Sequence, residues 1–165
     1  MDKFGKSQSV LRTEDNRFLT GEGRYIDDST PSNSLFAYFF RSQVAHARIA
    51  KLDIDDAKKS TGVKGIFTAE DLEKNGVKND LVGVTVKNLD GTDGACPKRP
   101  LLAENRVRFV GEPIVIVVAD SMENARDAAE LIEIDYDDLP VSIELEVGEN
   151  TIHKEAPGNL AFEWD

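Results

Sequence analysis

The most apolar run in the chain is Ile114-Val115-Ile116-Val117-Val118-Ala119. Unbroken β-branched residues of this length suit a strand covered on both faces, so the run predicts the centre of a sheet. Asp120, with Glu123 three residues on, then marks the start of a helix. In it Met122, Ala125, Ala129 and Ile132 recur at helical spacing, with Ala128 beside them. The small alanines let such a helix lie close to a sheet. Ile132 to Tyr136 alternates as a further strand, ended by Asp138-Leu139-Pro140.

Upstream, Leu35 to Arg41 is aromatic and apolar and reads as a well-buried strand. Ala47 to Ile54 alternates with one slip, Asp55 to Ser60 reads as a short helical turn stopped by Gly62, and Val63 to Phe67 as a short strand. Thr68 and Asp71 have the spacing of a helix cap, and Asn75-Gly76 that of a helix end. Val82, Val84 and Val86 alternate like a strand before the turn-forming Asp90-Gly91-Thr92-Asp93-Gly94. Val107 to Val110 reads as an edge strand broken by Gly111-Glu112-Pro113. Short strands with two convincing helices define an α+β fold, expected as one small mixed sheet with two or three packed helices. Residues 1–34 are expected to form an irregular arm, 35–147 the domain proper, and 148–165 a truncated linker toward a missing domain.

At 165 residues the chain fits one domain with a small appendage. Its 40% hydrophobic and 31% charged residues are ordinary for a globular protein. The net charge of −11 disfavours binding to phosphate backbones. No apolar run is long enough to span a bilayer, and Met1 to Arg12 lacks the apolar core of a secretory signal. Cys96 is the single cysteine, so no internal disulfide can form, and the expected location is the cytoplasm. From Asp127 to His153 there are acidic residues and no Lys or Arg. That stretch is either a solvated acidic face or a docking surface for a basic partner.

Chemistry-bearing patterns are sparse. His46 and His153 lie far apart in sequence, and with one cysteine they make no zinc spacing. Cys96 has the cations Lys98 and Arg99 nearby but no base to pair with, which marks it as an incidental loop residue. No Gly-x-Ser-x-Gly elbow is present. Gly21-Glu22-Gly23 lacks the third glycine of a dinucleotide fingerprint, since Ile26 occupies that place. Acid pairs such as Asp27-Asp28, Asp55-Asp56 and Asp137-Asp138 read as solvated turns. Glu112 differs because Gly111 and Pro113 fix its backbone beside the central strand, and its expected role is structural.

The run from Arg12 to Asp28 (Arg-Thr-Glu-Asp-Asn-Arg-Phe-Leu-Thr-Gly-Glu-Gly-Arg-Tyr-Ile-Asp-Asp) opens a series of motifs. It is followed by Ala45-His46-Ala47-Arg48-Ile49, Arg99-Pro100-Leu101-Leu102-Ala103 and Val107-Arg108-Phe109-Val110-Gly111-Glu112-Pro113, and later by Asp135 to Pro140 and Pro157-Gly158-Asn159. In order and spacing this series resembles the N-terminal part of the large subunit of molybdenum hydroxylases, the family of xanthine dehydrogenase, aldehyde oxidase and aerobic carbon monoxide dehydrogenase. The likeness extends from about Arg12 to Trp164. It departs from the family pattern at Thr61, where proline is common, and at Gln43-Val44, where a proline-containing turn is usual.

The resemblance implies an α/β-hammerhead domain. It also implies a molybdenum-pterin cofactor elsewhere in the full-length subunit, and flavin and two-iron, two-sulfur clusters in partner subunits or domains. The family's glycine-rich motif beside the molybdenum and its catalytic glutamate match no position here, so no catalytic, cofactor-binding or metal-ligating residue is assigned. Arg12–Asp28 and Gly111–Pro113 are expected to contact the remainder of the large subunit. The Glu14-Asp15…Leu19-Thr20-Gly21 opening and Arg99–Ala103 lean toward the three-subunit bacterial or archaeal type.

Three readings follow: an N-terminal assembly domain of a large subunit, inactive alone; a stand-alone module docking on flavin or iron–sulfur subunits; and an independent small enzyme. The lack of a convergent site weighs against the third. An isolated domain of the first kind is expected to expose an apolar patch, which opens a route to self-association.

Overall fold

The computed structural model describes residues 12–81 and 83–164, and the chain divides into two compact units, Met1–Ser34 and Leu35–Asp165. In the first unit, residues 12–34 are not wholly irregular. A short helix, α1 (Asp15–Leu19), and a 3-10 turn at Asp27–Ser29 are present. Phe18 stacks on Tyr25 with ring centroids 5.7 Å apart, and Arg17 lies over Phe18. Gly23 faces the Phe18 ring so closely that a Cβ would clash. This local aromatic packing, invisible to a search for apolar period, is what shapes the segment.

Among its described residues the second unit holds six strands: β1 (Phe36–Arg41), β2 (Ala47–Asp53), β3 (Val63–Phe67), β4 (Arg106–Val107), β5 (Pro113–Ala119) and β6 (Glu133–Asp138). The α+β class expected from the sequence is present, but the strands are shared between two three-stranded sheets, β1-β5-β3 and β4-β2-β6, all antiparallel. As expected, β5 is central. Val115, Val117 and Ala119 are fully buried on it. β1 is an edge strand covered on one face: Phe36, Tyr38 and Phe40 are partly buried while Ala37, Phe39 and Arg41 are exposed, in place of the expected burial throughout. The slip read in 47–54 is a register shift between Ile49 and Lys51 against β6, a bulge that returns the side chains to their proper faces.

Helix α2 (Asp55–Lys58) precedes β3, and α3 (Ala69–Lys74) follows it. The Thr68 cap forms a full capping box. Thr68 N donates to Asp71 Oδ2 (2.9 Å), and Asp71 N donates to Thr68 Oγ1 (3.4 Å). The Thr68 backbone N–H, first among its partners, holds the Asp71 carboxyl below its ordinary value. Helix α4 (Met122–Glu130) begins one residue later than expected. Ser121 Oγ accepts from Asn124 N (3.1 Å), while Asp120 accepts from the Asn124 side chain and pairs with Lys64. A serine caps as well as an aspartate, and its extended backbone places it at the cap position. Ala125, Ala128 and Ala129 are buried beneath α4 and join β5, Ile66, Ala47 and Val107 in one core.

The strand expected over Val82–Val86 does not form. Val82 lies outside the described residues, and Gly83–Val86 is irregular between the isolated bridges Leu81–Arg99 and Lys87–Asp93. The edge strand expected over 107–110 pairs only at Arg106–Val107, because Arg108 onward turns back toward Glu112. Residues 148–164 are tied to the rest of the unit. Ala95 N donates to Ala161 O, Glu163 N to Asn88 Oδ1, and Trp164 Nε1 to Lys87 O. Among the described residues no helix is long and apolar enough to cross a membrane.

Candidate functional site

Each connection between successive strands crosses from one sheet to the other, and the two shortest are residues 42–46 between β1 and β2 and residues 108–112 between β4 and β5. They are bonded together. Ser42 N donates to Glu112 O (2.9 Å), Gly111 N to Ser42 O (2.8 Å), and Arg41 Nη1 to Gly111 O (2.9 Å). Gly111 takes φ +90°, a left-handed conformation that a side chain disfavours, and this lets the turn close.

Three of the four buried polar residues among those described lie at this joint: Ser42, His46 and Glu112. Ser42 Oγ donates to Val44 O (2.7 Å). The Glu112 carboxylate accepts the backbone N–H of Arg108. His46 Nδ1 bonds Pro140 O at 2.6 Å, which makes Nδ1 the donor, and Nε2 is buried without a partner. The Arg108 Nε is likewise buried without a partner, and the Tyr136 hydroxyl lies near Ser42 without a sound hydrogen bond.

Burial sets the electrostatics here. It pushes the Glu112 carboxyl above its ordinary value, against the opposing pull of the Arg108 backbone and charge. It pushes His153 below its ordinary value, helped by the Arg108 charge. It also raises Tyr136. His153, distant from His46 in sequence, thus shares its surroundings, and the structure gathers what spacing alone kept apart. Ser42, Arg108 and Tyr136 carry no sequence signal for this role, and neither does Asn79. That buried amide lies elsewhere and bonds both the N–H and the C=O of Leu102 (each 2.9 Å).

This arrangement fixes backbone and offers no nucleophile beside a base. The donor set does not suit a metal. Glu112 is engaged by a backbone N–H, His46 is held at Nδ1, and a guanidinium stands alongside. Among the described residues no three His, Cys, Asp or Glu side chains converge as metal ligands. The side chains of this joint therefore make no metal-ligand set, and no chemical step is assigned to them. Cys96 is exposed and outside the joint. The turn Gly111–Pro113 points Glu112 inward, while the neighbouring Phe109 and Val110 face outward. A groove of about 640 Å³ along β1, α4 and β6 has Tyr38, Phe40 and Ile134 in its walls and Arg41 and Arg126 among its lining cations, again without a base–nucleophile pair.

The fold has known counterparts. Residues 20–140 match the family described as aldehyde oxidase and xanthine dehydrogenase, a/b hammerhead domain. The chain is 38% identical over 136 residues to the nicotine 6-hydroxylase large subunit of Paenarthrobacter nicotinovorans, covering 82% of this chain and 16% of that protein. The crystal structure of quinoline 2-oxidoreductase from Pseudomonas putida 86 superposes with a TM-score of 0.68 at 39% identity, over 85% of this chain and 16% of that one. The Cu,Mo-CO dehydrogenase in its carbon monoxide reduced state superposes with a TM-score of 0.66 at 36% identity, over 82% and 16%. The chain belongs to the aldehyde oxidase and xanthine dehydrogenase hammerhead family. It spans 16–17% of the two Paenarthrobacter nicotinovorans relatives and 8% of xanthine dehydrogenase 1 of Arabidopsis thaliana.

Proposed function

We propose that this chain is the N-terminal structural and assembly domain of a molybdenum-dependent hydroxylase or dehydrogenase large subunit, of carbon monoxide dehydrogenase-like type. The observation that carries the reading is the family match across 20–140, in a chain that spans only 8–17% of its curated relatives, joined to a polar centre built for holding backbone. In this reading the cofactor and catalytic groups belong to the remainder of the large subunit, flavin and iron–sulfur clusters belong to partner subunits, and the 165-residue chain is inactive alone in the cytoplasm. The joint at 42–46 and 108–112 would hold two sheets at a fixed angle, giving the rest of the subunit a rigid surface to pack on.

A second reading is a stand-alone module docking on flavin or iron–sulfur subunits. The outward-facing Phe109 and Val110 favour it as much as the first. An antibody against this domain, applied to source-cell extract with molybdenum assayed in the same fraction, separates the two. The assembly-domain reading expects a species much larger than this chain, co-purifying with molybdenum. A species of this chain's own size without molybdenum would overturn it in favour of the docking module.

A further inference from the structure

Beyond β6 the chain runs Val141-Ser142-Ile143-Glu144-Leu145-Glu146-Val147, a strict alternation of apolar and polar residues. Such a period places the four apolar side chains on one face of an extended segment. All four are exposed: Ile143 at 84% and Leu145 fully. The segment pairs with no strand, bends at 144–146, and among the described residues its backbone N–H and C=O groups make no backbone hydrogen bond. Once straightened, the segment would carry an apolar stripe beside a run of unbonded amides, a template for an added strand.

The polar positions decide what kind of strand. Ser142, Glu144 and Glu146 interleave with the apolar residues, and no Lys or Arg occurs from Asp127 to His153. A second copy would set glutamates against glutamates at a net charge of −11 per chain, which is unfavourable across a strand pair. We propose that residues 141–147 are a docking strand that pairs with an extended segment of a partner polypeptide in which apolar residues alternate with Lys or Arg. Main-chain bonds would supply attachment, the apolar stripe burial, and Glu144 and Glu146 the choice of partner. The proposal rests on the assembly reading and deepens it by naming the surface and the chemistry of what covers it.

The test uses the full 165-residue chain with a heptapeptide alternating valine and lysine as probe, and one alternating valine and glutamate as control. Amide exchange is followed residue by residue. The valine–lysine peptide is expected to slow exchange at 141–147 by about tenfold or more, and the control to leave it unchanged. The Ile143→Asp/Leu145→Asp variant should lose the protection. Glu144→Lys/Glu146→Lys should transfer it to the valine–glutamate peptide. Protection spread over the acidic surface, equal response to both peptides, or a self-paired dimer through 141–147 would overturn the proposal. A failure here leaves the molybdenum co-purification result standing, so the two readings fail separately.

Discussion

Ile114–Ala119 and Gly83–Val86 are both rich in strand-forming residues, yet only the first is a strand. The difference lies in their neighbours. β5 is flanked by β1 and β3, with Val117 opposite Tyr38 on one side and Ile66 on the other. Gly83–Val86 has isolated bridges at either end and Val84 turned to solvent. Its surroundings are instead held by side chains reaching backbone. Asn79 grips Leu102, Asp80 accepts from Arg99 N, and Lys98 meets Glu104 at 2.6 Å. β-propensity describes fitness for a pleated surface, and the surface must exist for the fitness to matter.

The largest expected effect breaks this comparison at its stronger end. Val117→Asp puts a carboxylate without a partner at a site with no solvent exposure. The cost, about 4 kcal/mol or more, is comparable to the whole stability of a small domain. Urea unfolding should show the cooperative transition lost or moved to very low denaturant. Val84→Asp changes the same residue type in the same way and should shift stability by no more than about 0.5 kcal/mol. Equal losses would mean that 83–86 is packed as tightly as β5, and the contrast would collapse.

The next effect sharpens the weaker end. Asn79→Ala leaves the N–H and C=O of Leu102 without their partner, although Leu102 itself is fully buried. A loss of about 2 kcal/mol is expected. It should fall locally, so that amide exchange accelerates around 99–103 while β5 keeps its protection. Acceleration through β5 as well would show that this loop and the sheet unfold as one unit.

How much could be read beforehand follows the same division. β5, α3, α4 and the bulge in β2 were legible because period, capping residues and a slip in alternation are local. The split into two sheets was not, because it depends on which strands meet: β1 joins β5 across more than seventy residues of chain. Glu112 could be singled out from its neighbours Gly111 and Pro113, and His46 as one of two histidines. Their meeting at one joint could not, since His46 bonds the carbonyl of Pro140, 94 positions away. Ser42, Arg108, Tyr136 and Asn79 are ordinary in composition and acquire roles only through burial. The partner of 141–147 is the converse case, a local pattern that stays unpaired within the described residues.

The smallest effect concerns the joint between the two sheets, where burial and hydrogen bonding oppose each other. Burial raises the folded-state pKa of Glu112 above its ordinary 4.5. Above that raised value the carboxylate is charged in both states, and the folded protein carries the cost of an ion removed from water. As pH falls through the raised value the folded state takes up its proton first, so this cost shrinks, and it vanishes below the unfolded value. Glu112→Gln keeps an oxygen that can accept from Arg108 N and removes the charge. The variant is therefore expected to be the more stable protein near pH 7, with the gap closing by about pH 4. The Asp71 carboxyl, held low by its capping box, acts in the opposite direction and loses its stabilisation on acidification. It does so in both proteins and cancels from their difference. Urea midpoints at the two pH values decide the matter. A gap that stays constant with pH would mean that Glu112 acts at the joint through its bond to Arg108 alone, with its charge of no consequence.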